Sequence, residues 1–324
     1  MSKDLVQEAG VMTEEKSLIL GGLGFIGHNL AIKLRKAGHE ILIIDSNLQK
    51  QTWNSSIENP FDCLNFDLAN SELLQKTISE FQPNNIFHFA ANSDISKSDA
   101  IANDFWNTLV TTLSLAEVLR ITSLKTKVIF ASSSAIYGDK GEPLKISSAK
   151  INVPANAYGW SKRASELALQ SVCAEKNIPL VVCRFPNVVG PHLTHGLLFD
   201  LLKKNEALPK TIQILGDGTQ KKPFIHVDDL LEILLKANGE NDQPGKIINI
   251  SPFDQITVSE IVEIFASIIK NKVDFLYEQK REGWKGDVPE YLFDVSEAQQ
   301  MCSLAVQSSR VAVERSLREN MALS

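Results

Sequence analysis

The chain reads as an α/β protein, a doubly wound parallel sheet followed by a smaller C-terminal unit, and three observations predict this. A short apolar run, Leu18-Ile19-Leu20, enters the glycine-rich turn Gly21-Gly22-Leu23-Gly24-Phe25-Ile26-Gly27, and a helical pattern follows. A second apolar run, Ile41 to Ile44, ends in Asp45, eighteen residues past Gly27. Beyond it, short apolar runs alternate with helical periods as far as Arg184. Strands alternating with helices imply parallel pairing through crossover connections.

The first strand, glycine turn and helix form a dinucleotide-binding element of the Rossmann type. Glycine brings the backbone close to a pyrophosphate, and the helix start offers free N–H groups and a positive dipole end. Phe25 to Ala37 is expected to be helical, with Ile26, Leu30, Ile32 and Leu34 inward. The glycines fit both G-x-G-x-x-G (Gly22, Gly24, Gly27) and G-x-x-G-x-x-G (Gly21, Gly24, Gly27). Asp45 stands where an acid accepts hydrogen bonds from ribose hydroxyls and repels a 2′-phosphate, so NAD is expected rather than NADP.

Further along, Ser46 to Phe61 reads as a polar loop, and Leu64 to Leu68 as a strand ending around Asp67. Ser71 is placed as the cap of a helix carrying Leu73, Leu74 and Ile78. Then come a strand over 85–91, a long helix over 104–119, a strand over 127–130, a helix over 157–174 and a strand over 179–184. Past Gly190-Pro191 the elements shorten: helices over 196–204, 227–237, 258–270 and 307–321, and strands over 211–215 and 246–250. Residues 1–16 read as a mobile extension. The NAD-binding domain is drawn over 17–185 plus about 225–252, and the substrate-binding domain over 186–224 plus 253–324.

At 324 residues, 44% hydrophobic and 22% charged, the composition is that of a globular protein with a sizeable core. A net charge of −6 argues against nucleic acid or an anionic membrane as partner, and no run approaches a membrane span. Cys63, Cys173, Cys183 and Cys302 are scattered without a CxxC, as in a reduced cytoplasmic protein. His192 and His195 are three apart but lack a third ligand at metal spacing, so no metal is expected.

Tyr158 and Lys162, four apart on a predicted helix, share a face. A nearby ammonium favours the phenolate and makes tyrosine a usable acid/base, and the lysine can also hold a ribose hydroxyl. On its own the pair could be a surface couple. It gains weight from Ser132-Ser133-Ser134 at the end of the preceding strand, the ligand edge of such a sheet.

With these motifs the chain resembles the extended short-chain dehydrogenase/reductase family, in its NAD-dependent nucleotide-sugar epimerase/dehydratase branch. The likeness, of UDP-glucose 4-epimerase type, runs from about Leu18 to Arg318. It implies that Gly21, Gly24, Phe25, Ile26 and Gly27 form the cofactor turn and that Phe89, Ala90 and Ala91 flank the pyrophosphate. It sets Asn107 at the cofactor, although the family's usual glycine is Val110 here, and Asp67 and Leu68 by the adenine. Ser133 becomes the catalytic hydroxyl beside Tyr158 and Lys162. In Arg184-Phe185-Pro186-Asn187-Val188-Val189-Gly190-Pro191, Pro186 borders the nicotinamide and Asn187 contacts the sugar nucleotide.

The resemblance also bears on substrate. The segment from Gly216 to Asp229 corresponds to one reaching the diphosphate, with Lys222 where the family usually has Arg. A second family arginine falls on Trp284, with Arg281 or Lys285 as substitutes. Related dehydratases carry Asp and Glu, and decarboxylases Glu, where Ser134 and Ala135 stand, which leaves 4-epimerisation as the simplest implied reaction. Tyr291 aligns with a tyrosine that crowds out a 2-N-acetyl group, which favours an unsubstituted hexose, with a core tyrosine as the alternative. A UDP-hexose substrate is therefore implied. A 4-keto-sugar reductase and a non-catalytic NAD-binding regulator remain alternatives. The family's four-helix bundle implies a homodimer through Leu109, Leu113, Leu167 and Leu169, or else these leucines pack the core.

Overall fold

A computed structural model describes residues 15–47, 60–91, 101–139, 143–283, 286–301 and 306–323. Most of the N-terminal extension, much of the loop after Asp45, Trp284, Lys285 and Cys302 lie outside the described residues. Six strands come first: β1 (Lys16–Leu20), β2 (Glu40–Asp45), β3 (Asp62–Asn65), β4 (Asn85–His88), β5 (Lys127–Ala131) and β6 (Leu180–Arg184). With Pro244–Asn249 they form a seven-stranded parallel sheet in the order Pro244–Asn249, β6, β5, β4, β1, β2, β3.

The apolar runs are continuous because both faces of the sheet are covered. Alternate residues serve the two sides. Ile19, Ile43, Phe87, Ile129 and Val181 pack towards the helices Phe25–Lys36 and Val227–Gly239. Leu18, Leu20, Ile86, Val128, Phe130 and Val182 pack towards Ser71–Phe81, Ile101–Ile121 and Ala157–Lys176. Over the carboxyl ends lie Leu197–Glu206, Val258–Ile268 and Ser309–Leu323 with three two-stranded pairs, among them Asn187–Val189 with Phe224–His226. Among the described residues no helix is long and apolar enough to cross a membrane.

Several local expectations are corrected. β3 stops at Asn65 because its partner β2 ends opposite it at Asp45, so Asp67 lies beyond the strand. Asn70, not Ser71, caps the next helix, its side chain accepting from the Leu73 N–H at 3.0 Å. β4 ends at His88, and Phe89 to Ala91 leave the sheet where strand order reverses between β1 and β4. On the first helix the buried face is Phe25, His28, Leu30, Ala31 and Leu34, while Ile26 and Ile32 are only half-buried. Leu109 and Leu169 belong to the buried interior, whereas Leu113 and Leu167 are exposed.

Candidate active site

A cleft of about 830 Å³ opens at the carboxyl ends of the strands, on both sides of the reversal between β1 and β4. This is the crevice in which doubly wound sheets bind ligands. The glycine turn forms one wall. Gly24 caps the first helix with no side chain on its amides, so the first-turn N–H groups remain available. A Cβ on Gly27 would lie 2.5 Å from the Gly21 carbonyl oxygen and 2.8 Å from the Gly22 Cα. The turn is thus a cradle that only glycine fits, open to a pyrophosphate. Asp45 accepts from the Leu23 N–H at 3.1 Å and from the Asn47 N–H at 3.0 Å, which fixes its carboxylate at the rim.

This cradle yields a first prediction. Gly27→Ala forces the turn apart, and overpacking of this kind costs about 1–3 kcal/mol. The expected loss of NAD affinity is roughly 5- to 150-fold, read by displacement of bound nucleotide. Unchanged affinity would show that the turn does not carry the phosphates.

Opposite the turn, the helix Ala157–Lys176 begins at Asn156, whose side chain accepts from the Gly159 N–H at 2.9 Å. Gly159 lets this helix pack directly on the segment after β5, since a Cβ there would lie 2.3 Å from the Ala135 carbonyl oxygen. Tyr158 is thereby brought to Ser133, and the two side chains share a hydrogen bond. Ser133 also accepts from the Ala135 N–H at 3.2 Å. Lys162 is buried, and its Nζ donates to the Ala131 carbonyl at 2.8 Å. It lies 4.9 Å from the Phe130 ring centre and 5.8 Å from that of Tyr158.

The electrostatics depart from the expectation that the ammonium would lower the phenol. Loss of solvent pushes Tyr158 up to about 12, opposed by the Ser133 hydrogen bond. The same desolvation brings Lys162 down to about 7, opposed by the carboxylate of Glu166. Lys162 spends its hydrogen bond on Ala131 rather than on the phenol, which explains the difference. Burial likewise pushes the thiols of Cys63 and Cys173 up, to about 11 and about 12, so neither is an activated nucleophile.

Of the described residues assigned above to catalysis, cofactor or substrate, the cleft gathers all but Arg281. The turn residues Gly21, Gly24, Phe25, Ile26 and Gly27 line it, as do Asp45, Asp67, Leu68, Phe89, Ala90, Ala91 and Asn107. So do Ser133, Ser134, Tyr158, Lys162, Pro186, Asn187, Lys222 and Tyr291. Three of them form one group: Tyr291 shares a hydrogen bond with Ser134 and accepts from Asn187 Nδ2 at 3.2 Å. Tyr291 is also part of the core, packed edge-on to Phe293.

Arg281 is the exception. It is half exposed, pairs with Glu290 at 2.7 Å and does not line the cleft. Lys222 does line it but is engaged by Asp287 in an ion pair. Asp287, Gln220 and Lys204 also line the cleft and were not singled out. The pairing of Lys222 with Asp287 joins residues 65 positions apart, so nothing local announces it. Gln220 is buried, and among the described residues its Oε1 has no hydrogen-bond partner. Among the described residues no group of three His, Cys, Asp or Glu side chains could hold a metal.

Fold and cleft together define a dinucleotide-binding enzyme of the doubly wound class. Residues 17–251 match the model of the NAD dependent epimerase/dehydratase family, and the chain belongs to that family. NAD is its cofactor, in keeping with the uncapped helix start and the glycine cradle. A UDP-glucose 4-epimerase of Corynebacterium glutamicum is 25% identical over 287 residues, covering 83% of this chain and 84% of that protein. A UDP-N-acetyl-alpha-D-glucosaminuronate decarboxylase of Bacillus cytotoxicus is 24% identical, covering 95% and 97%. A solved UDP-galactose 4-epimerase superposes with a TM-score of 0.80 at 25% identity, covering 95% of this chain and 99% of the other.

Proposed function

We propose that this chain interconverts the C4 epimers of a nucleoside-diphosphate hexose, of the UDP-glucose/UDP-galactose type, through a transient 4-keto sugar. The observation carrying this reading is the Ser133–Tyr158–Lys162 group next to Ser134 and Ala135. Eliminating water across C5–C6 needs a base and an acid beside the catalytic hydroxyl, and neither Ser134 nor Ala135 can fill those roles. Kinship with named 4-epimerases supports the same choice.

In this reading the Gly21–Gly27 turn takes the pyrophosphate, with Phe89, Ala90 and Ala91 beside it. Asp45 takes the adenosine ribose, Asp67 and Leu68 the adenine, and Pro186 the nicotinamide, with Asn107 nearby. A bound NAD would supply the hydride acceptor for C4 and, once the 4-keto sugar has turned over, the hydride donor to its opposite face. Tyr158 removes the C4 hydroxyl proton and gives it back, while Ser133 hydrogen-bonds that oxygen and Lys162 holds a cofactor ribose hydroxyl. Asn187 and Tyr291 bound the sugar, and the bulk of Tyr291 favours an unsubstituted C2 hydroxyl. A diphosphate reaches Lys222 by replacing Asp287 as its partner, as a point charge rather than a two-pronged clamp. Residues 17–185 with about 225–252 serve the cofactor, 186–224 with 253–324 serve the substrate, and the setting is the reducing cytoplasm.

The test is NMR of purified protein with UDP-glucose, UDP-galactose and their N-acetyl counterparts, with no added cofactor. Interconversion at C4 supports the proposal; no turnover of any of the four overturns the UDP-hexose assignment.

The same reading includes a homodimer. Trp106, Leu113, Trp160 and Leu167 are 58%, 42%, 46% and 60% exposed on the two long helices. Leu167→Glu is expected to convert dimer to monomer in light scattering after size exclusion; a wild type that runs as a monomer would remove this element.

A further inference from the structure

Beneath the catalytic group lies a buried polar network. Glu166 sits one helical turn beyond Lys162, and both it and Arg184 are 4% exposed at the side chain. Arg184 grips both carboxylate oxygens, Nε to Oε1 at 2.9 Å and Nη2 to Oε2 at 2.6 Å. Ser132, next to Ser133, donates to the same carboxylate. The third Arg184 nitrogen donates to the Tyr137 hydroxyl at 3.0 Å, which donates in turn to Asn249 at 2.7 Å. Backbone bonds continue the tie: Ser132 N–H to Cys183 at 2.7 Å and Ser134 N–H to Phe185 at 3.1 Å.

Stability alone does not account for this placement. A buried ion pair is usually no more stabilising than well-packed apolar residues of the same volume. This one reaches the site from two directions. On the helix, Glu166 faces the Lys162 ammonium; on the sheet, it holds the segment that carries Ser133. The charge count is informative as well. Lys162 and Arg184 are positive and Glu166 negative, so the buried group carries one excess positive charge. A Tyr158 phenolate would balance it. His88, which faces Lys162 from β4, is pushed down to about 3 by burial and stays neutral.

We propose that Glu166 is a positioning residue, clamped by Arg184 and Ser132, that supplies the buried counter-charge of Lys162 and ties the Ser133 segment to the Tyr158 helix. This rests on the assignment of Lys162 to the cofactor ribose. Without Glu166, desolvation acts on Lys162 unopposed, and the ammonium loses its proton at lower pH. Its grip on the ribose hydroxyl then weakens at lower pH too.

The test follows exchange of bound NAD for labelled NAD against pH in the full-length holoprotein, for wild type, Glu166→Gln and Lys162→Met. Exchange in wild type is expected to quicken as pH rises through the Lys162 midpoint. In Glu166→Gln that midpoint falls by up to about one pH unit, and in Lys162→Met exchange is fast at every pH. Should Glu166→Gln leave Arg184 unpaired and fail to fold, Glu166→Gln/Arg184→Gln removes both charges, and a smaller downward shift is expected because the repulsion from the Arg184 guanidinium is lost as well. A folded variant with the wild-type midpoint overturns the proposal while Lys162→Met still exchanges fast. If Lys162→Met exchanges as wild type does, the cofactor assignment of Lys162 has failed and this inference falls with it. The NAD readout is independent of which sugar is turned over.

Discussion

Tyr158→Phe is expected to lower interconversion at the sugar C4 by about 10²–10⁴-fold, the range typical for removing a general acid/base, while NAD stays bound. The substitution removes a single oxygen from a half-buried ring whose hydroxyl is tied to Ser133. The glycine cradle on the far wall is untouched, which is why cofactor should remain. The phenol is raised to about 12, so at pH values where Lys162 still holds NAD the wild-type rate should climb with pH as the proton becomes easier to remove. The residual rate of Tyr158→Phe should lose that dependence. Steady-state rates across pH, with bound nucleotide counted in the same samples, make the check. A Tyr158→Phe variant with more than about a tenth of wild-type turnover would remove Tyr158 from the mechanism.

Arg184→Ala should have the largest effect on stability, a loss of about 3–5 kcal/mol. The guanidinium supplies two of the hydrogen bonds to the Glu166 carboxylate and one to the Tyr137 hydroxyl. Truncation leaves a carboxylate in the interior without its guanidinium, holding the Ser132 hydrogen bond and the more distant Lys162 ammonium, together with the volume of a lost side chain. Equilibrium urea unfolding reads the loss as a shift in midpoint at unchanged slope. A shift worth less than about 1 kcal/mol would mean that solvent reaches Glu166 and that the pair behaves as a surface one.

Features carried by short stretches of chain were legible in the sequence. The glycine turn, Asp45 and the Tyr158–Lys162 pair each depend on spacing within one strand, turn or helix, and the cleft gathers them all. Ser133 needed the resemblance to be separated from Ser132 and Ser134, because three adjacent hydroxyls look alike until the backbone turns. Ser132 faces inward to Glu166, Ser133 meets Tyr158 and Ser134 meets Tyr291. Charge partnerships between distant segments were not legible. Lys222 and Arg281 looked like cations for a diphosphate, yet each meets a carboxylate, Asp287 and Glu290. Leu109 and Leu113 differ by one helical turn and were indistinguishable by type; only the packing of the two long helices sends one inward and leaves the other out.

The order of strands in the sheet also bears on how the chain is made. β6 ends at Arg184, but the strand that covers its outer edge, Pro244–Asn249, is synthesised only after the whole of the intervening region. At about 5–20 residues per second on the ribosome, several seconds separate the two. During that interval β6 presents Leu180 to Arg184 as an open apolar edge, the kind of surface that recruits stray strands. Arg184 waits as well, since Asn249, which takes the Tyr137 hydroxyl and donates to the Leu144 carbonyl, completes its surroundings only when that last strand docks. A nascent chain stalled between these points should therefore be bound by chaperones and cut readily by protease, and releasing it past Asn249 should close both vulnerabilities together.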